Sequence, residues 1–251
     1  MQLTDDEIRE ILIKRKKKER RRRRMRRRAT LLVFVLLVIC AAAAVLHFKS
    51  GEAGVSVLPS KGIIFIDPGH GGTDPGSVSG GRNEKDDNLV LALAVKKALN
   101  RKGFRVIMSR TEDEDVDRTR RGELANECGA QLMVCLHRNK SNGKGRGVEV
   151  FVPADGSTES QLLGMNIFDA LINRGFAERS IRTGTLNSEK EDYEELAAAE
   201  IPCCLVEVGF IDNSADNKLF DDDLKKNAKA IAAAISDTFT ELYESDQAQE
   251  E

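Results

Sequence analysis

The chain has 251 residues, 41% apolar and 32% charged, a balance that fits one large folded domain or two small ones and excludes a wholly disordered protein. Its formal net charge of -2 conceals a split, because residues 1–28 carry 14 Lys/Arg against 5 Asp/Glu while the remainder carries 25 against 36. The two ends of the chain face different environments.

Residues 1–28 form a basic segment that abuts ATLLVFVLLVICAAAAVL, Ala29 to Leu46, 18 residues without a charge. As a helix this run is ~27 Å long, close to the ~30 Å of bilayer hydrocarbon, and it predicts one N-terminal transmembrane helix over 29–48. Lys/Arg-rich flanks stay in the cytoplasm, so the basic run predicts an N-in orientation with everything after the span outside the cell membrane. The span is longer than a signal-peptide core and reads as an uncleaved anchor, with Ala41 to Ala44 as the small residues a signal peptidase would use if the segment is instead removed and the domain secreted. The basic run has no aromatic residue for base stacking, so a nucleic-acid partner is not expected.

Residues 49–61, rich in Gly and Ser, read as a linker, and a single folded domain is expected over 62–244, followed by an acidic tail at 245–251. Within the domain, apolar runs alternate with amphipathic stretches. The pattern predicts a strand at Ile63–Asp67, a helix at Glu84–Arg101 closed by Gly103, and a strand at Phe104–Ser109. A helix at Asp117–Cys128, strands at Leu132–Leu136 and Gly147–Val152, and a Ser-capped helix at Ser157–Asn173 follow. Arg179 to Glu200 lacks a clean period and is expected to be surface loop with a helical patch. Ile201–Val208 is a strand interrupted only by Glu207, and Asp222–Tyr243 is a closing helix. Continuous apolar strands between helices imply an α/β fold: a mixed, largely parallel central sheet with helices on both faces. Of the five cysteines, Cys135, Cys203 and Cys204 lie in strand runs, where free cysteine packs as a small hydrophobe.

Chemistry concentrates where strands end. The chain has three histidines; His47 borders the span, which leaves His70 and His137 for the domain. His70 follows the first strand inside the loop DPGHGG, His137 follows Leu132–Leu136, Glu207 closes the run Cys203–Val206, and Glu84 opens the first helix. In a parallel α/β sheet these positions share one edge, where ligands bind. Two imidazoles and one carboxylate suit Zn2+ and leave a coordination position for water, the pattern of a catalytic site. A second carboxylate would serve as general base; spacing alone leaves open whether Glu84 or Glu207 is the ligand. Taken singly, a histidine at a strand end or a glutamate in a first helical turn is an ordinary structural residue, whereas a carboxylate inside an apolar strand needs a partner.

Six blocks in order resemble the zinc-dependent N-acetylmuramoyl-L-alanine amidases of type 3, which hydrolyse peptidoglycan. They are IFIDPGHGGTDPG from Ile64, NEKDDNLVLALAVKKAL from Asn83 with GFRVIMSRTED after it, RRGELANECGA from Arg120, LHRN from Leu136, GVEVF from Gly147, and LVEVGFIDN from Leu205. The resemblance spans roughly 62–243 and implies that His70, Glu84 and His137 bind zinc and that Glu207 is the catalytic carboxylate. It implies hydrolysis of the amide between N-acetylmuramic acid and L-alanine. The layout, a bare catalytic domain behind a membrane span, also looks like members that act in sporulation and germination, and a protein activator is compatible with it. Two other classes remain: a membrane-anchored peptidoglycan binder or activator without turnover, and a zinc peptidase acting within the stem peptide. Arg138 departs from the small residue common after the second histidine, and is expected either to meet a substrate carboxylate or to point to solvent. The stretch from Arg182 to Glu200 is the least family-like part, expected to hold an inserted regulatory helix or a substrate-binding edge.

Overall fold

The computed structural model describes residues 60–244. The expected basic segment, membrane span and tail, and most of the linker, lie outside the described residues. Among the described residues no helix is long and apolar enough to cross a membrane.

Each apolar run becomes a strand and each amphipathic stretch a helix. The strands are β1 Ile63–Pro68, β2 Val78–Ser79, β3 Arg82–Asn83, β4 Arg105–Met108, β5 Leu132–Asn139, β6 Val148–Val152, β7 Glu178–Thr183 and β8 Cys203–Phe210. The helices are α1 Glu84–Arg101, α2 Arg118–Glu127, α3 Thr158–Ile172, α4 Glu194–Ala197, α5 Ser214–Asp222 and α6 Leu224–Tyr243. Capping sets the boundaries: Asp117 accepts from Arg120 N at 3.2 Å and Ser157 from Ser160 N at 3.2 Å, satisfying amides that a helix start leaves free. At the other end of α1, Gly103 takes the left-handed conformation (φ 94°) and lets Phe104 N reach back to Leu99 O.

Six strands form one sheet in the order β4-β1-β5-β8-β6-β7. β4, β1, β5 and β8 are mutually parallel, β6 runs antiparallel to β8, and β7 is parallel to β6. The sheet is therefore mixed and mostly parallel. Alternation along the strands sends Ile64, Ile66, Val134, Leu136 and Val206 to a large core with Leu91 and Val95 of α1, Ile167 of α3 and Ile231 and Ile235 of α6. Phe65, Met133, Cys135, Cys203 and Leu205 go to the other face, where Ala125 of α2 and Leu196 of α4 close a smaller core. Cys135, Cys203 and Cys204 are buried free thiols, pushed up by that burial.

Three expectations change. Glu178–Thr183 is not loop but the edge strand β7; it buries little of itself and so carries no apolar period, its pairing with β6 alone defining it. Residues 214–222 form α5, capped by Asn213, whose side chain accepts from Ala215 N and Asp216 N, ahead of α6. β5 and β8 also run past the points where their apolar runs stop. Asn139 pairs with Phe210 after a register shift beyond His137, so His137 lies within its strand, not after it, while Glu207 lies inside its strand as expected.

Ile66 is fully buried in the larger core, so Ile66→Ala is expected to destabilise the domain by about 2–5 kcal/mol, read as a lowered denaturant midpoint at unchanged slope.

Candidate active site

The loop after β1 brings the first histidine into place. Gly69 N donates to Leu136 O at 3.0 Å, binding the turn to β5. His70 then adopts φ 62°, a left-handed conformation that costs a non-glycine residue about 1–3 kcal/mol and persists only if its surroundings enforce it. Two buried guanidiniums do so. Arg121 of α2 donates to Asp67 Oδ1 at 2.7 Å, Pro68 O at 3.0 Å and His70 O at 3.0 Å. Arg110, just beyond β4, donates to Pro68 O and Gly69 O, each at 3.0 Å, and to Lys85 O at 2.9 Å. Glycine is required at Gly69, where a Cβ would meet the His137 ring at 2.1 Å, and at Gly76, where it would meet His70 Cδ2 at 2.6 Å and Glu84 Oε2 at 2.8 Å.

Around this turn His70, Glu84 and His137 present donor atoms that all lie within 4.8 Å of one another. Glu84 Oε1 is 3.2 Å from His70 Nε2 and 3.0 Å from His137 Nδ1. The imidazoles meet edge to face, at 77°, so each points one nitrogen at the shared carboxylate. The other nitrogen of His70, Nδ1, is paired with Asp74 Oδ2 at 2.6 Å. Glu84 also accepts from Arg138 N at 3.0 Å and, through Oε2, from Ser77 N at 2.8 Å. Burial would raise its carboxyl, but the hydrogen bonds from His137 and His70 hold it well below the usual carboxylate range. For His137 burial acts downward and is outweighed by the hydrogen bond to Glu84 and the charges of Glu84, Glu207 and Glu195, which push it up to about 9. Glu207 stands beside His137 in the β5–β8 register. Its Oε2 is buried without a hydrogen-bond partner, and burial first, then the charge of Glu84, pushes the carboxyl up to about 8 against the opposing His137.

The cluster thus gathers two imidazoles and two carboxylates in a poorly solvated place, donors that a bound cation would bring together. The donor set of two imidazoles and one carboxylate, with a second carboxylate held just off it, fits a divalent metal of the zinc type. These residues line a groove of about 680 Å³ that also takes in Arg118, Tyr193 and Glu195.

The family model described as N-acetylmuramoyl-L-alanine amidase matches residues 64–237. The chain belongs to this type 3 amidase family. It is 35% identical over 160 residues to the sporulation-specific N-acetylmuramoyl-L-alanine amidase of Bacillus subtilis, covering 62% of this chain and 59% of that one. It superposes on Cwp6 from Clostridium difficile with TM-score 0.66 and 34% identity, over 70% of this chain and 29% of that one. It superposes on the CwlD amidase of Clostridioides difficile, solved in complex with the GerS lipoprotein, with TM-score 0.60 and 25% identity, over 72% and 97%. The chain therefore spans less than two thirds of the length of the first two.

In this family member His70, Glu84, His137 and Glu207 line one groove. Between the two carboxylates that spacing left open, Glu84 joins the histidine cluster and Glu207 stays on the neighbouring strand. Asp74, Arg110, Arg121 and Glu195 escaped the sequence reading; only Asp74 carried a local signal, four residues from His70. Arg138 follows neither expectation. Its side chain is fully buried, with Nη1 donating to Asp87 Oδ2 at 2.6 Å, Nη2 to Asn217 Oδ1 at 2.6 Å and to Phe210 O at 3.3 Å, and its guanidinium 4.2 Å from the Phe220 ring centre. It ties the start of α1 to α5 from beneath the site, because a guanidinium cannot lose its charge and its burial requires acceptors.

Arg138→Ala is therefore expected to cost about 3–5 kcal/mol of stability in urea denaturation; a variant as stable as wild type but with raised KM would restore the substrate-contact role.

Proposed function

We propose that this chain hydrolyses the amide bond between N-acetylmuramic acid and L-alanine in peptidoglycan, with zinc held by His70, Glu84 and His137 and with Glu207 as the catalytic carboxylate. The observation that carries this reading is the convergence of three donor atoms within 4.8 Å, with Glu207 in register beside His137 at the floor of an open groove. Bound zinc would supply a Lewis acid and lower the pKa of a coordinated water towards ~7. The rest falls to the protein. Glu207 takes a proton from the attacking water and returns it to the departing amine of L-alanine. Its Oε2, buried without a partner, is placed to hold that proton between the two steps. Asp74 fixes the ring of His70 through Nδ1, and the clamp of Arg110 and Arg121 keeps the ligand loop from relaxing when substrate enters.

The uncharged run at 29–48 and the basic segment before it support a single-pass anchor with the catalytic domain, residues 62–244, on the outer side of the cell membrane. The similarity to a sporulation-specific amidase supports a role in a specialised wall. The relative solved with a lipoprotein supports a protein activator as a further partner.

The full chain in detergent, incubated with purified peptidoglycan, is expected to free L-alanine amino termini, detected by end-group labelling; absence of product with zinc bound overturns the reading. Glu207→Gln should lower turnover by roughly 100-fold or more with zinc content intact, and His137→Ala should lose the zinc, both checked by metal analysis beside the rate.

A further inference from the structure

His70 and His137 each turn one ring nitrogen towards Glu84, but their second nitrogens are served differently. The Nδ1 of His70 has Asp74 at 2.6 Å. The Nε2 of His137 is buried with no hydrogen-bond partner, and so is Oε2 of Glu195, whose other oxygen, Oε1, is 3.8 Å from that same Nε2. Both side chains are close to fully buried, 11% exposed for His137 and 5% for Glu195.

We propose that Glu195 is a positioning residue of the metal site: its carboxylate accepts the Nε2 proton of His137 and thereby fixes the tautomer whose Nδ1 lone pair faces the cation. The inference rests on the metal-site reading above and adds to it a group outside the ligand set.

A neutral imidazole carries one proton, so a lone pair on Nδ1, the nitrogen 3.0 Å from Glu84 Oε1, requires the proton on Nε2. That proton then sits in a buried place and needs an acceptor. Glu195 has the matching need, a buried carboxylate with an oxygen left over. A movement of about 1 Å brings the pair from 3.8 Å to hydrogen-bond distance. With it each histidine of the cluster gains a carboxylate behind it, the arrangement that orients metal-bound imidazoles and raises their basicity.

The acidic run before β8 explains how the residue arrives. Tyr193 packs edge-on against Phe151 and accepts from Leu186 N through its hydroxyl, anchoring the entry to α4. Leu196 is buried in the smaller core. One helical turn between these anchors leaves Glu194 exposed and rotates Glu195 inward.

The test is zinc affinity of the full chain, measured by competition with a chromophoric chelator, together with nitrogen-15 NMR of the zinc-loaded His137 ring. Glu195→Ala is expected to weaken zinc binding about 10- to 100-fold, and the His137 Nε2 proton, slow to exchange in the wild type, should exchange rapidly. Glu195→Gln, close to isosteric and still offering an oxygen, should keep the Nε2–H tautomer and lose about 10-fold in affinity; it carries the test if Glu195→Ala does not fold. Asp74→Ala gives the reference loss for a carboxylate behind the other histidine. Wild-type affinity in both Glu195 variants, or a proton on Nδ1 in the wild type, overturns the proposal while the metal site stands. Failure of the wild type to bind zinc at all overturns both.

Discussion

The structure depends on two guanidiniums buried under one turn. Arg110 and Arg121 reach the Asp67–His70 segment from different elements and spend their donors on its carbonyl oxygens and on Asp67, whose carboxylate also accepts from Ser109 Oγ. A charge that cannot be neutralised has no stable position in a protein interior without such acceptors. The turn offers them in the conformation that carries His70 at positive φ. The burial of the arginines and the strain of the histidine therefore enforce each other, and the His70 loop is held in place by the protein's own contacts.

The same logic of charge in a poorly solvated place governs the site itself. Glu84, Glu207 and Glu195 surround His137, and their combined field raises that imidazole despite its burial. Three buried guanidiniums are directed elsewhere, Arg138 to Asp87 and Asn217 and Arg110 and Arg121 to the turn, while Arg118 and Lys140 line the groove. Glu84 is paired with the two imidazoles, whereas Glu207 Oε2 and Glu195 Oε2 are left without a partner at the floor of the groove. This explains why the two glutamates move in opposite directions: Glu84 accepts from two imidazoles, whereas Glu207 has no donor on Oε2 and meets the charge of Glu84.

The sheet decides where that floor lies. The larger helical layer of α1, α3 and α6 covers one face along its length, whereas α2 and the short α4 cover the other. By strand alternation Asp67, His137 and Glu207 continue the rows of Phe65, Cys135 and Leu205 on this second face. The site sits where that thinner cover gives way to the groove. The antiparallel β6 and the edge strand β7 extend the sheet beyond β8, and β6 puts Glu149 opposite Glu207.

Sequence alone determined the alternation of strands and helices, since apolar period and capping residues act locally: Glu84–Arg101 coincides with α1 in full, and the two capped helices are within a residue of their expected starts. It also named His70, Glu84, His137 and Glu207, because charged or metal-binding side chains at the ends of apolar runs stand out against them. Tertiary structure decided what no local pattern encodes. β7 exists only through pairing with β6, and only the packed chain shows that Glu84, not Glu207, reaches both imidazoles. Arg138 reads as a substrate contact or a solvent-facing residue until α5 closes over it. Glu195 is one of several acidic residues in a row, distinguished from Glu194 only by the direction in which a single turn of helix faces a core that the rest of the chain must first build.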